Sequence, residues 1–407
     1  MKQFLLLICL VHATLSAYAE PLTFQQAIAL VADNQPLLDG QTAAITAAQH
    51  NAVTAAQRPD PKLKLGVINV PTSGADAYSL GQDFMTMRMI GVMQEFPREE
   101  KLRLRGLKAE IETEKEMRDL EVLRRTLERE AGLAWLDSYY ATQALSILQQ
   151  LQQQTQSELE SQIAAYRVGR ASQSDVLALR GELDVLKDKQ LNLERQRNLA
   201  QAMLVRWIGD AGNNSLAAEL PRFTLPDTAE TLTARLSDHP HLGLMEKQIA
   251  LAETDVALER KNRSPDWNVE FGYNQRGAAF PDMVSVQFGI DLPIFPEHRQ
   301  NQSLASKNAL LEKTRAQRDD NARAMRADIA TYYANWRGYQ RRTENFEKSA
   351  LPTAQARIDS ALAAYRAGQG NFSAVLEAQR ALLELQLQRL SLVVDAARAQ
   401  VQLHYFE

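Results

Sequence analysis

The most pointed chemistry in this sequence is carried by four methionines at even spacing, Met85, Met87, Met89 and Met93. Thioether sulfur is a soft ligand that suits copper(I) or silver. Alternation with Thr86 and Arg88 puts all four sulfurs on one side of a strand. A second motif, His239-Pro240-His241, offers two imidazoles at a helix start, short of the three or four convergent ligands a metal site needs. The single cysteine, Cys9, sits in an apolar run and offers no nucleophile to a mature chain. No glycine-rich phosphate loop precedes a helix, and no nucleophile motif is present. The residues therefore predict no catalytic site, no cofactor and no metal site, so the chain is not expected to be an enzyme.

Those residues have to be positioned by something, and the composition says by what. Ala, Leu, Gln, Arg and Glu dominate long stretches, while aromatics make up 7%, the pattern of long helices and coiled coils. A net charge of −4 argues against a nucleic-acid partner. Lys2, the apolar run Phe4 to Val11 and Ala17-Tyr18-Ala19 together predict an export signal over 1–19, with the mature chain starting at Glu20. Ile8 before Cys9 is too large for a lipoprotein signal, so no lipid anchor is expected. No later apolar stretch reaches the length of a membrane-spanning helix. Any crossing of a membrane must therefore use strands.

The chain repeats itself. Ala165-Tyr166-Arg167-Val168-Gly169 recurs 199 residues later as Ala364-Tyr365-Arg366-Ala367-Gly368, and Phe96-Pro97 recurs as Phe295-Pro296. The expected register is continuous from Met85 to Leu204, with a loop of unequal length over Pro71 to Asp83. The predicted organisation is a signal peptide (1–19), a first repeat (20–208), a linker (209–227) rich in Gly, Asn and Pro, and a second repeat (228–407). Each copy predicts a helix, at Pro36 to Arg58 and Pro240 to Arg263, then a strand pair. A helix of roughly 100 Å follows, at 1.5 Å per residue, from Arg98 to about Tyr166 and from Glu297 to about Tyr365, with a break at Pro352. After a glycine turn a second helix returns, on a seam Val176, Leu179, Leu183, Leu186. Helices of that length need partners to bury them.

The strands alternate. Trp267, Val269, Phe271 and Tyr273 share one face, as do Val284, Val286, Phe288, Ile290 and Leu292. In the first copy Leu63, Leu65 and Val67 alternate with Lys62 and Lys64. This predicts apolar residues toward lipid and polar residues toward a wet lumen, with Lys64, Arg88, Glu270 and Asp291 on the lumen side. The 199-residue offset sets Met85, Met87, Met89 and Met93 on Val284, Val286, Phe288 and Leu292, so the methionine stripe is expected to face lipid or packing. Four strands cannot close a barrel, since the small ones begin at about eight. Three chains supply twelve, so a cyclic homotrimer is the economical assembly.

With these features in place, the whole mature chain resembles the TolC family of outer-membrane efflux ducts. The residues that carry the likeness are Leu22-Thr23-Phe24 with Ala27 and Leu30, then Asn34-Gln35-Pro36, the two strand pairs, Gly91 to Pro97, and the turns Tyr166 to Gly169 and Tyr365 to Gly368. The resemblance implies a mainly α protein with a small β part. Its strands would complete a trimeric twelve-stranded β-barrel in the outer membrane, and its long helices a periplasmic α-barrel. It also implies a periplasmic adaptor and an inner-membrane pump as partners, and outer-membrane lipid around the barrel. The stretch from Met85 to Pro97 looks most like the heavy-metal branch, which makes metal cations the expected cargo. Ducts for multidrug efflux or for type I protein secretion, and a soluble coiled-coil scaffold, stay open as alternatives. Adaptor contact is expected at the helix tips: Tyr166, Val168, Gly169, Arg170 and Asp175, and Tyr365, Gly368, Gln369, Gly370 and Phe372. Asp175 has Ala374 as its repeat counterpart, so a ring of three Asp175 carboxylates is possible, while the paired rings of some family members are in doubt.

Overall fold

The computed structural model describes residues 20–221, 223 and 228–407. The expected signal over 1–19 and residues 222 and 224–227 of the linker lie outside the described residues. In chain order the elements are α1 (Phe24–Ala29), α2 (Val31–Asn34), α3 (Pro36–Ala55), β1 (Lys62–Ile68), β2 (Met87–Phe96), α4 (Glu99–Arg167), α5 (Gln173–Ile208), α6 (Ala229–Arg235), α7 (Pro240–Lys261), β3 (Trp267–Gln275), β4 (Met283–Ile290), α8 (Gln300–Asn345), α9 (Leu351–Arg366) and α10 (Phe372–His404). The order α3, β1, β2, α4, α5 recurs as α7, β3, β4, α8 with α9, α10. This is a mainly α fold with one small sheet.

Helix α4 runs for 69 residues because its sequence is almost all straight-chain helix formers, with no proline. Its counterpart is divided. Pro352 has no N–H to give and its ring crowds the carbonyl four residues back. The chain answers with a five-residue π-helical turn, Phe346–Ala350, between α8 and α9. The helix on this side begins at Gln300, three residues later than the sequence suggested.

The described residues form two compact units, and neither follows the repeat boundaries. One draws on 20–35, 126–221 with 223, and Thr331–Tyr405. Here Leu22 makes a parallel bridge to Leu216, and the fully buried Trp135 donates its indole N–H to the Leu22 carbonyl at 3.1 Å. Phe24 packs edge-on to Trp135. Gln35 donates to the carbonyls of Arg206 and Trp207, at 3.1 and 2.6 Å, which satisfies orphan groups at the end of α5. The Leu-Thr-Phe and Asn-Gln-Pro motifs thus anchor the start of the chain against α4 and α5.

The other unit draws on Pro36–Arg125, 228–330 and Phe406–Glu407. It holds one antiparallel sheet in the order β1-β2-β3-β4. Lys101, 4% exposed, holds Asp266 at 2.9 Å and the Ser264 carbonyl at 2.8 Å, fixing the start of α4 to the start of β3. Asp255 on α7 is bridged by Lys108 of α4 at 2.6 Å and Lys307 of α8 at 3.0 Å.

The sheet corrects the continuous 199-residue register. Strand β2 ends at Phe96 and α4 begins at Glu99, whereas β4 ends at Ile290 and α8 begins only at Gln300. Phe295 therefore lies in a connector, where Phe96 closes a strand. The longer connector shifts the strand by an odd number of residues, and a one-residue shift sends every side chain to the opposite face.

Burial alone would raise the Asp255 carboxyl, but the hydrogen bonds and charges of Lys108 and Lys307 outweigh it and hold the group below its ordinary value. A depressed carboxylate contributes stability above the ordinary range, lost as pH falls through the lowered value. Asp255→Asn is expected to destabilise the chain by about 1 kcal/mol at neutral pH. In thermal melts the gap from wild type should close as pH drops below about 4.

Candidate functional site

Side-chain alternation gives the sheet two unlike faces. One carries Leu63, Leu65, Ile90, Val92, Phe271, Tyr273, Val284, Val286, Phe288 and Ile290, all exposed, with Leu65 at 71% and Phe288 at 74%. A contiguous apolar surface of this size on an exposed sheet marks contact with lipid or protein. The opposite face carries Lys62, Lys64, Glu95, Asn268, Glu270, Asn274, Ser285 and Gln287. Two ion pairs run across it, Lys62 with Glu95 at 2.5 Å and Lys64 with Glu270. Asn274 donates to the Ser285 hydroxyl at 3.1 Å. Asp291 follows the end of β4, exposed, with its backbone N–H on the Asp266 carbonyl at 3.1 Å.

Two expectations are overturned by this register. Arg88 pairs with Val67 and Gln275, on the face of Ile90 and Val92, and so lies opposite to Lys64 and Glu270. Met87, Met89 and Met93 pair with Ile68, Gly66 and Lys62, which sets them on the polar face and not the apolar one. Met85 precedes β2 and belongs to neither face. The apolar residues of β2 are Ile90 and Val92, which the methionine spacing concealed.

At the other candidate place, two turns join α4 to α5 and α9 to α10. Gly169 and Gly368 both take positive φ, +73° and +70°, where a side chain would be strained. Each closes its helix with the same pair of bonds, Arg170 N–H to Ala165 carbonyl at 2.8 Å and Gln369 N–H to Ala364 carbonyl at 2.9 Å being the longer reach. Ser172 then caps α5 by accepting from the Asp175 N–H at 3.1 Å, and Asn371 caps α10 from the Ala374 N–H at 3.0 Å. Beneath the turns Leu159, Val176, Leu179, Phe372, Val375 and Leu376 form a core.

The structure separates the expected tip residues into two sets. Tyr166, Val168, Gly169, Arg170, Gly368, Gln369 and Gly370 are exposed. Phe372 is 3% exposed and packs edge-on to Tyr365 at 5.1 Å, so it is core and offers no outside contact. Tyr365 and Asp175 are half-buried and face each other. The Tyr365 hydroxyl lies 3.4 Å from both the Asp175 carboxylate and the Gln162 amide oxygen. Burial raises the Tyr365 phenol above its ordinary value, and the Asp175 charge adds to that. The hydroxyl therefore stays a donor, and Asp175 takes its bond from Tyr365.

Further polar ties run through the same helices. Glu182, 3% exposed, pairs with Arg380, and Gln379 donates to Glu158 at 2.9 Å. The signal for Glu182 was present in the sequence, since it stands between Leu179 and Leu186 on the buried stripe. His239 is a cap and not a ligand: its Nδ1 accepts from the His241 N–H at 3.2 Å, with Pro240 in the first helical turn. Among the described residues no three His, Cys, Asp or Glu converge on a metal position.

Residues 232–405 match the family described as outer membrane efflux protein. A curated relative, the cobalt-zinc-cadmium resistance protein CzcC of Cupriavidus metallidurans, is 23% identical over 201 residues, 49% of this chain. The match spans about half the length of that relative, 47%. Among solved structures, a membrane protein from Pseudomonas aeruginosa superposes with a TM-score of 0.80 at 16% identity, covering 94% of this chain and 89% of the other. CusC, whose solved structures concern folding and transmembrane channel formation, gives 0.78 at 14% identity over 94% and 91%. The outer membrane protein VceC of Vibrio cholerae gives 0.75 at 18% identity over 94% and 95%.

Tyr365→Phe and Asp175→Ala each remove the same bond between the two turns, at a cost of about 0.5–1.5 kcal/mol. Amide hydrogen exchange over 165–176 and 364–376 should quicken by up to about tenfold in either variant. The double variant should exchange no faster than the singles, because one interaction is lost once.

Proposed function

We propose that this chain is a TolC-like outer-membrane efflux channel component, and that it works as a homotrimeric duct carrying heavy-metal cations out of the periplasm, a reading supported by the match of residues 232–405 to the outer membrane efflux family and by the shared fold. The observation that carries the proposal is the sheet of four strands, which has one exposed apolar face, one polar face and two open edges. An apolar face of that size is stable against lipid. Open edges are not, because every backbone N–H and C=O in a bilayer needs a partner. Three chains bring twelve strands and remove the edges by closure.

The polar face then lines a water-filled lumen with Lys64 and Glu270, and with Asp291 at its margin, while Arg88 belongs to the lipid side. The long helices continue the path as a periplasmic α-barrel. Periplasmic adaptor hairpins meet the exposed turn residues Tyr166, Val168, Gly169, Arg170, Gly368, Gln369 and Gly370, and an inner-membrane pump loads the duct. The Tyr365–Asp175 bond lies directly beneath that surface, so docking there can bias the turns toward a second arrangement. The two sequence copies, 20–208 and 228–407, act as tandem halves of one protomer. The metal cargo is supported by the likeness to the cobalt-zinc-cadmium resistance protein.

Deleting the gene and measuring growth against copper, silver, zinc, cobalt, cadmium and a panel of drugs tests the cargo. Sensitivity confined to metals is the expected result. Sensitivity to drugs alone would overturn the metal reading and leave a general efflux duct.

A further inference from the structure

The sulfurs of β2 stand on the wrong face for lipid contact. Met87, Met89 and Met93 share the polar face with Lys62, Lys64, Glu270 and Asn274. On a strand rising about 3.3 Å per residue, Met87 and Met89 are spaced by roughly 7 Å and Met89 and Met93 by roughly 13 Å. Both intervals suit a chain of neighbouring stations for flexible side chains. The residues opposite or between them on this face are Gly66, Gly91 and Gly272, which carry no side chain, and the space over Gly66, opposite Met89, is open. A Cβ on Gly272 would meet both the Met89 Cγ and the Asn274 amide at 3.8 Å, so these two side chains lie over the same glycine.

Asn274 supplies the second observation. It stands directly opposite Met89, is 4% exposed, and its Oδ1 has no hydrogen-bond partner. Buried carbonyl oxygens are nearly always satisfied, so an orphan one asks for a function. Its amide nitrogen is committed to Ser285 at 3.1 Å, which leaves the oxygen unpaired on the residue opposite Met89. Met283 occupies the same level on β4, across Asn274.

The nearby carboxylates are already taken. Glu95 is held by Lys62 and Glu270 by Lys64, and those ammonium groups repel further cations. Hard and borderline divalent ions need such carboxylates or imidazoles, whereas neutral thioethers select soft ions. We propose that Met87, Met89 and Met93, with the unpaired oxygen of Asn274 from the strand opposite, form a thioether track that takes soft monovalent cations, Cu(I) or Ag(I), along the lumen wall. The proposal rests on the polar face lining the lumen, and it narrows the metal cargo to the soft end of the series. Binding is transient by design: two or three neutral donors release an ion more readily than a closed thiolate site would.

The test is silver titration of the purified full chain in detergent, in chloride-free buffer, followed calorimetrically. Isoleucine keeps the volume and strand preference of methionine without the sulfur. Met87→Ile/Met89→Ile/Met93→Ile should weaken Ag(I) binding at least tenfold and leave Zn(II) titrations unchanged, while Met117→Leu and Met203→Leu, on α4 and α5, should bind silver as the wild type does. If the triple variant does not fold, Met89→Ile alone should still show weakened binding. Wild-type silver affinity in either folded variant overturns the track. Failure of the efflux reading has a different signature, a deletion strain insensitive to every metal while the purified chain still binds silver through these sulfurs.

Discussion

The structure depends on the backbone groups at the outer edges of β1 and β4. The sheet satisfies its hydrogen bonds between β1 and β2, β2 and β3, and β3 and β4, and leaves one row open on each flank. In water such edges would invite aggregation; in lipid they cost several kcal/mol for each unpaired group. The apolar face formed by residues such as Leu65 and Phe288 is exposed, a surface that marks contact with lipid or protein. Under the proposed function, closure with further copies answers both demands at once.

The helical turns obey a different logic. Gly169 and Gly368 end their helices by the same bonds, and Ser172 and Asn371 start the next helices by the same kind of cap. The two halves then diverge in what they present. Asp175 follows Ser172, while Ala374 follows Asn371, and Tyr365 comes from the second half to meet Asp175. Glu182 and Arg380 repeat that arrangement, one partner from each half. The two turns share their architecture, and the polar bonds between them join unlike residues, one from each half. A buried pair such as Glu182 with Arg380 is weak evidence for stability, because desolvation offsets much of its attraction. Its clearer effect is to fix which face of α5 meets α10.

Much of this was legible in the sequence because it rests on local periodicity. Strand alternation, the absence of proline in α4 and the glycines at 169 and 368 each act through the backbone near their own position. The connector after β4 was not legible. Its extra residues carry no periodic signal, and Phe295-Pro296 imitates Phe96-Pro97 closely enough to conceal the change in length. That one error set the methionines on the lipid side and Arg88 in the lumen, since strand parity admits no intermediate answer. Phe372 was misjudged for a related reason. It stands just after a turn, where exposure is the usual expectation, yet the core beneath the turns reaches up to its ring. Asn274 gave no signal, because an orphan oxygen is a property of packing and not of pattern.

Closure by three chains can be tested directly at the open edges. Leu65→Cys on β1 and Val286→Cys on β4, combined in one chain with Cys9 replaced by serine, would be treated in outer-membrane fractions with a short thiol-to-thiol crosslinker. The account predicts a denaturing-gel ladder of one, two and three chains that ends at three, with each single-cysteine chain staying largely uncrosslinked. A ladder that ends at two, or no crosslinking in membranes that contain the protein, would contradict the closed twelve-stranded barrel.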